Sequence, residues 1–188
     1  MLVLGVTGKA VSGKSSVAEY LAKKYGFIHL DFTKDLLAPM LTEKHKAVVR
    51  KNLINLGMEI RKKQGGKDAL IRLLAAKIDI DHNYVIAGIR FPEEVNYLRN
   101  KFNYSFKLLA VKCDLKIRYQ RTLELYHIKR KTVGGRDLTF KEFLNLEDEP
   151  TEKIIGRTMR MADFSVTNEG VKRELFEKID NLMKRLKV

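Results

Sequence analysis

With 188 residues, 45% of them apolar, the chain is long enough for one domain with a real core. No stretch approaches the roughly 18 to 20 apolar residues needed to cross a bilayer, and the single cysteine, Cys113, excludes a disulfide framework and a cysteine-based zinc site. Lys and Arg number 37 against 23 Asp and Glu, a net charge of +14 that attracts nucleotides, nucleic acid or anionic lipid; a kinase for phosphorylated substrates carries such a surface too.

The opening Met1-Leu2-Val3-Leu4-Gly5-Val6-Thr7-Gly8 lacks the basic flank and cleavage site of a signal peptide, so Leu2 to Val6 reads as a buried strand and a cytoplasmic location is expected. Ser15 to Tyr25 has helical apolar spacing (Val17, Ala18, Leu21, Ala22) and Gly26 as its stop. Phe27 to Leu30 is a second strand ending at Asp31. Helices follow over Thr33 to Leu41, Ala47 to Lys63 and, past Gly65-Gly66, Asp68 to Ile78. Tyr84 to Ile89 is a third strand, and Pro92 opens a helix to Arg99 with Glu93 and Glu94 in its first turn. Phe106 to Val111 is a fourth strand, Leu115 to Lys131 a long basic helix, and Thr132 to Asp137, with Gly134-Gly135, a flexible tip. Helices over Leu138 to Leu146 and Thr151 to Met161, a strand over Phe164 to Val166 and a helix over Gly170 to Leu186 complete the chain. Strands alternating with helices predict an α/β fold with a parallel sheet and right-handed crossovers. The reading is one domain over 1–188, with the Arg- and Lys-rich stretch 114–151 as a candidate lid over phosphates.

Gly8-Lys9-Ala10-Val11-Ser12-Gly13-Lys14-Ser15 matches G-x-x-x-x-G-K-[ST] between a predicted strand and a predicted helix, the context that gives the motif its meaning. The glycines permit the backbone angles of a loop that wraps phosphate with its N–H groups. Lys14 would reach the β- and γ-phosphates, the Ser15 hydroxyl would ligate Mg²⁺, and the helix start, with Ser15 and Ser16, would add partial positive charge. The expected cofactors are therefore ATP and Mg²⁺, and the expected fold is the three-layer P-loop NTPase type with a five-stranded parallel sheet and a helical lid.

Open α/β sheets bind ligands beyond the carboxyl ends of their strands. Asp31, Arg90 and Cys113-Asp114 lie at such ends. Asp31 is either a helix N-cap or a functional carboxylate, serving hydrated Mg²⁺ or an attacking group; Asp35 is a rival. Arg90 either forks onto a substrate phosphate or pairs with Glu93 or Glu94. Arg61, in Leu56-Gly57-Met58-Glu59-Ile60-Arg61, faces the presumed acceptor side. In the lid, Arg118, Arg121, Arg130 and Arg136 are the cations available to clamp a transferring phosphoryl group, and the spacing of Arg118 and Arg121 puts them on one helical face. His29, His45, His82 and His127 form no ligand spacing.

Gly5 through Ser15 with Val17-Ala18-Glu19-Tyr20-Leu21 resembles the opening of the P-loop kinases of small metabolites. Val85-Ile86-Ala87-Gly88-Ile89-Arg90-Phe91-Pro92-Glu93-Glu94-Val95 and Leu53 to Arg61 resemble segments of phage-type deoxynucleoside monophosphate kinases. Ala162-Asp163-Phe164-Ser165-Val166-Thr167-Asn168-Glu169-Gly170 resembles the last strand of dephospho-coenzyme A kinases and archaeal adenylate-kinase-related proteins. The resemblance implies a nucleoside-monophosphate-kinase-like fold, Asn168, Glu169 and Gly170 beside the base of ATP, and an acceptor near Asp31, Arg61 and Arg90. These families usually carry an aspartate at the end of the third strand, where this chain has Ala87 and Gly88. The expected function is phosphoryl transfer from ATP to a nucleoside or deoxynucleoside monophosphate. The alternatives are transfer to dephospho-coenzyme A, or a nucleotide-dependent switch or RNA-associated ATPase. No nucleic-acid-binding motif accompanies the charge, so a small-molecule acceptor is expected ahead of nucleic acid, and no membrane partner is expected.

Overall fold

Five short apolar strands carry the fold: β1 (Val3–Thr7), β2 (Ile28–Asp31), β3 (Tyr84–Ala87), β4 (Phe106–Lys112) and β5 (Phe164–Thr167). In the computed structural model, which describes residues 1–128, 138–148 and 150–188, all four strand pairings are parallel and the order is β2-β3-β1-β4-β5. Nine α-helices occur among the described residues: α1 (Lys14–Tyr25), α2 (Ala38–Glu43), α3 (Arg50–Lys63), α4 (Ala69–Ala75), α5 (Pro92–Phe102), α6 (Leu115–Ile128), α7 (Phe140–Glu147), α8 (Pro150–Arg160) and α9 (Lys172–Leu186). Arg130, Arg136 and the Gly134-Gly135 break of the expected lid lie outside the described residues.

Strand alternation divides the core in two. Leu4, Val6, Val85, Leu109 and Val111 face α1 and α9, meeting Val17, Leu21, Leu175 and Ile179. Val3, Tyr84, Ile86, Phe106 and Leu108 face the other way, onto Leu56, Leu70, Leu74 and Leu98 of α3, α4 and α5. This is why the central strands read as continuous apolar runs: helices cover both faces. The result is the three-layer α/β fold expected from the sequence.

Two departures from the expected elements have local causes. The helix expected from Thr33 begins as a π-helical turn, Phe32–Leu37, before α2. Asp31 caps this turn, its carboxylate accepting from the Thr33 and Lys34 amides at 2.7 and 2.8 Å. Pro39 has no N–H to offer the carbonyl of Asp35, and Lys77 Nζ donates to that carbonyl instead, at 2.6 Å. The third strand stops at Ala87, short of Ile89, because Gly88 turns into the left-handed region (φ 93°) and both the Gly88 and Ile89 amides donate to Val6 O.

The chain runs outward from β1 to β2 and returns to β3, then continues to β4 and β5 on the other side. The order therefore reverses at β1, and the crevice beyond the carboxyl ends of β1, β3 and β4 is the topological switch point, where sheets of this kind hold ligands. Leu109 is fully buried on the strand next to β1. Leu109→Ala is expected to destabilise the protein by about 3 kcal/mol, through lost transfer energy and the cavity left behind. Urea denaturation should show this as a lower midpoint with an unchanged slope.

Candidate functional site

The loop between β1 and α1 occupies the switch point. Gly8 has φ 151°, and a Cβ there would lie 2.5 Å from Val111 O, so only glycine lets the loop leave β1 pressed against β4. Val11 (φ 60°) and Gly13 (φ 104°) are both left-handed, and a β-branched residue in that region is a strained one that the surroundings must hold. The surroundings include Asn168, just past β5, whose buried side chain donates from Nδ2 to Ser12 O at 2.8 Å. The Ser12 amide bonds to Lys9 O at 3.3 Å, while its buried hydroxyl has no partner.

Lys14 Nζ donates to Lys9 O at 2.7 Å. Burial and the neighbouring charges of Arg90 and Arg118 pull its pKa down from the usual 10.5 to about 8, with Glu152 opposing them. An ammonium so placed gains from any anion that displaces the carbonyl. Ser15 is exposed in the first turn of α1 and Ser16 half-buried, and that turn holds no acidic side chain, so the positive helix end is left to a ligand. Glycine freedom, a partly buried lysine, an orphaned hydroxyl and an open helix start together fit a polyphosphate. Among the described residues no group of three or more His, Cys, Asp or Glu could hold a metal ion, so Mg²⁺ would enter with the phosphates, against Ser15.

The loop after β3 is anchored from two sides. Glu94, 1% exposed, accepts from the Arg90 and Phe91 amides at 2.8 and 3.1 Å. Thr158 of α8 donates its hydroxyl to Arg90 O at 2.6 Å. The Arg90 side chain itself is exposed and has no ion-pair partner among the described residues; Glu94 pairs at 3.7 Å with Arg61, not with Arg90. Arg61 also lies over the Phe91 ring, 5.0 Å from its centre. Arg61, on α3, thus packs against the loop that carries Arg90 through Phe91 and Glu94. Asp31 ends the strand beside β3, in register with Ala87, with one carboxylate oxygen engaged in its cap.

Arg118 and Arg121 do not converge on one target. Arg118, 4% exposed, forks onto Glu147 at 2.6 and 2.7 Å. Arg121 donates to Asn168 O at 3.1 Å, Gly170 O at 3.3 Å and Cys113 Sγ at 3.3 Å. Arg121 thus braces the segment that braces the loop. Asn168 and Gly170, expected to border a nucleotide base, are both engaged in this brace.

Sequence reasoning placed Lys9 in the phosphate loop but missed the two carboxylates it faces, Glu147 and Glu152. Lys9 Nζ sits 3.5 Å from Glu147 and 3.8 Å from Glu152. The available signal was the acidic run Glu147-Asp148-Glu149-Pro150-Thr151-Glu152 within a basic region.

No protein-family model matches the chain. It is 28% identical over 191 residues to a UPF0200/UPF0201 protein of Archaeoglobus fulgidus; the match covers 99% of this chain but only 56% of that longer protein. It is 27% identical over 188 residues to a UPF0200 protein of Sulfurisphaera tokodaii, covering 98% and 97% of the two chains. Among solved structures, a shikimate kinase from Bacteroides thetaiotaomicron superposes with a TM-score of 0.61 at 12% identity, covering 100% of this chain and 99% of that one. A gluconokinase from Sinorhizobium meliloti superposes with a TM-score of 0.53 at 14% identity, covering 98% and 93%. The fold is therefore that of the P-loop kinases.

Two outcomes follow from this geometry. Phosphate binding favours the charged form of Lys14, and in the free protein that form is lost as pH rises through about 8. Affinity for ATP, titrated with a fluorescent analogue, should be constant below that point and weaken by up to about tenfold per pH unit above it; Lys14→Met should remove the inflection. The same group affects stability in the opposite sense: its folded pKa is depressed, so its contribution to unfolding free energy rises between about 8 and 10.5. Asn168→Ala removes the brace on Ser12 O and should weaken ATP binding by about tenfold, while lowering stability by about 1 kcal/mol in thermal unfolding.

Proposed function

We propose that the protein is an ATP-dependent phosphotransferase whose acceptor is a small molecule bearing a phosphate, a nucleoside or deoxynucleoside monophosphate first among them. The observation that carries this reading is the pairing of Lys14 with Arg90. The first is a partly buried ammonium in the glycine-rich loop. The second is an exposed guanidinium, unpaired among the described residues, near enough to lower the pKa of the first and held by Glu94 and Thr158 through its backbone alone. A cation fixed at its backbone and free at its head is suited to a second anionic group. Arg61 of α3 adds a positive charge beside that loop, partly balanced by Glu94.

In this reading the loop from Gly8 to Ser15 holds the phosphates of MgATP. Lys14 follows the γ-phosphoryl group as charge builds on it, and Arg90 positions the acceptor phosphate in line. Arg118 acts through Glu147 and Lys9, and Arg121 through the Asn168 brace; both position the loop and neither touches phosphate. In this reading α6 and α7, which carry Arg118 and Glu147, would form the lid side of the site.

Incubation with labelled ATP, Mg²⁺ and a panel of ribo- and deoxyribonucleoside monophosphates and dephospho-coenzyme A tests the reading directly. Label should pass to a monophosphate, with Lys14→Ala abolishing transfer and Arg90→Ala raising the acceptor KM by about 10- to 100-fold while the ATP KM stays within a few-fold. Transfer to dephospho-coenzyme A alone would replace the acceptor. Binding and hydrolysis of ATP without any labelled acceptor would favour a nucleotide switch or RNA-associated ATPase.

A further inference from the structure

We infer that Glu152, on the first turn of α8, is the carboxylate that serves the Mg²⁺ of bound nucleotide through the metal's water shell. This takes the place of a strand-end acid that the chain lacks, and it rests on the proposed use of MgATP.

The inference starts from a polar atom with nothing to bond. Glu152 Oε2 is screened from solvent and makes no hydrogen bond. Among the described residues its ion-pair partner is Lys9 Nζ, at 3.8 Å beyond hydrogen-bond reach, and Lys9 lies nearer to Glu147, at 3.5 Å. Glu147 in turn is saturated by the two-pronged contact with Arg118. The two glutamates therefore differ: Glu147 completes a buried ion pair, whereas Glu152 keeps a free oxygen. The positive end of α8 eases the charge on Glu152 but supplies no partner for that oxygen. A covered carboxylate oxygen without a hydrogen bond is costly, and in native proteins such an exception marks a bound water, an ion or a catalytic role.

Its position says which. Glu152 Oε2 lies 3.8 Å from Nζ of Lys9, a residue of the phosphate loop, and its charge also opposes the lowering of the Lys14 pKa, so it is on the side of the loop that a nucleotide's phosphates would occupy. Helix α8 packs on β1 and is tied to the Arg90 loop through the buried Thr158, so Glu152 is carried on a rigid element. A second anion at this point would repel phosphate unless a cation stood between them. Mg²⁺ retains most of its waters and is held by phosphates and one or two carboxylates, which such a site suits. The end of β3 itself carries no carboxylate, and Asp31, beside it on β2, has one oxygen engaged in its cap. Ala87 and Gly88 stand at the end of β3, and a side chain at Gly88 would meet no atom within 4 Å, leaving open space next to β1.

The test is equilibrium binding of a fluorescent ATP analogue to the full chain, with Mg²⁺ and with EDTA. The wild-type protein should bind more tightly with Mg²⁺. Glu152→Gln should lose about tenfold or more of that gain, as expected for an outer-sphere carboxylate, through weaker binding with Mg²⁺, while metal-free affinity stays equal to or tighter than wild type because a repelling charge is gone. Glu147→Gln, which breaks the Arg118 pair, should weaken both arms alike and keep the gain. Glu152→Asp, which preserves charge, should show an intermediate loss and covers the case in which the glutamine variant does not fold. An undiminished Mg²⁺ gain in folded Glu152→Gln or Glu152→Asp overturns this inference while leaving the phosphotransferase reading in place. A wild-type chain that binds no ATP overturns that reading, and this inference with it.

Discussion

A partly buried ammonium at the mouth of the central strand sets the terms for the rest of the molecule. Lys14 is drawn out of water by the fold, depressed by Arg90 and Arg118, and given only a backbone carbonyl, Lys9 O, to bond. The arrangement is costly without an anion and favourable with one. Its surroundings can be understood as devices that keep the loop open for that anion: Gly8 against β4, left-handed Val11 and Gly13, and Asn168 on Ser12 O.

The charges near the loop form a graded set. Lys9, Lys14, Arg90 and Arg118 face Glu147 and Glu152, leaving an excess of two positive charges, which suits the formal charge of a magnesium nucleotide. Within that set the groups differ in what they still have to give. Arg118 and Glu147 satisfy each other. Among the described residues, Arg90 has no ion-pair partner, and Glu152 Oε2 has an ion pair with Lys9 but no hydrogen bond. Phosphoryl transfer requires positioning and charge neutralisation more than covalent chemistry, and both can be supplied by such partly committed groups.

The brace from β5 explains why the last strand matters to a loop far away in sequence. Asn168 lies 156 residues from Ser12, yet its amide closes the loop, and Arg121 holds Asn168 and Gly170 in turn. Parallel sheets make such contacts routine, because all carboxyl ends emerge on one side. The loop after β3 is fixed in the same way, by Glu94 from its own helix and Thr158 from α8.

The elements and the phosphate loop were legible in the sequence because they depend on local periodicity and on one contiguous motif. Alternating apolar runs and helical spacing located all five strands and the helices among the described residues to within a few positions, and Gly8 to Ser15 announced its own chemistry. What local signals cannot carry is which committed partner each charge finds. Arg118 and Arg121 read alike, as two arginines on one helical face, and only packing gave one to Glu147 and the other to Asn168 and Gly170. Asp31 read equally as a cap or a catalytic acid, and the amides of Thr33 and Lys34 engage it as a cap. Glu152 had no sequence signal beyond an acidic run; its free oxygen exists because α8 brings it to Lys9 after Glu147 has taken the stronger pair. Charge pairing is a competition settled in three dimensions, between groups separated by tens to more than a hundred residues, and a linear pattern records the competitors without recording the outcome.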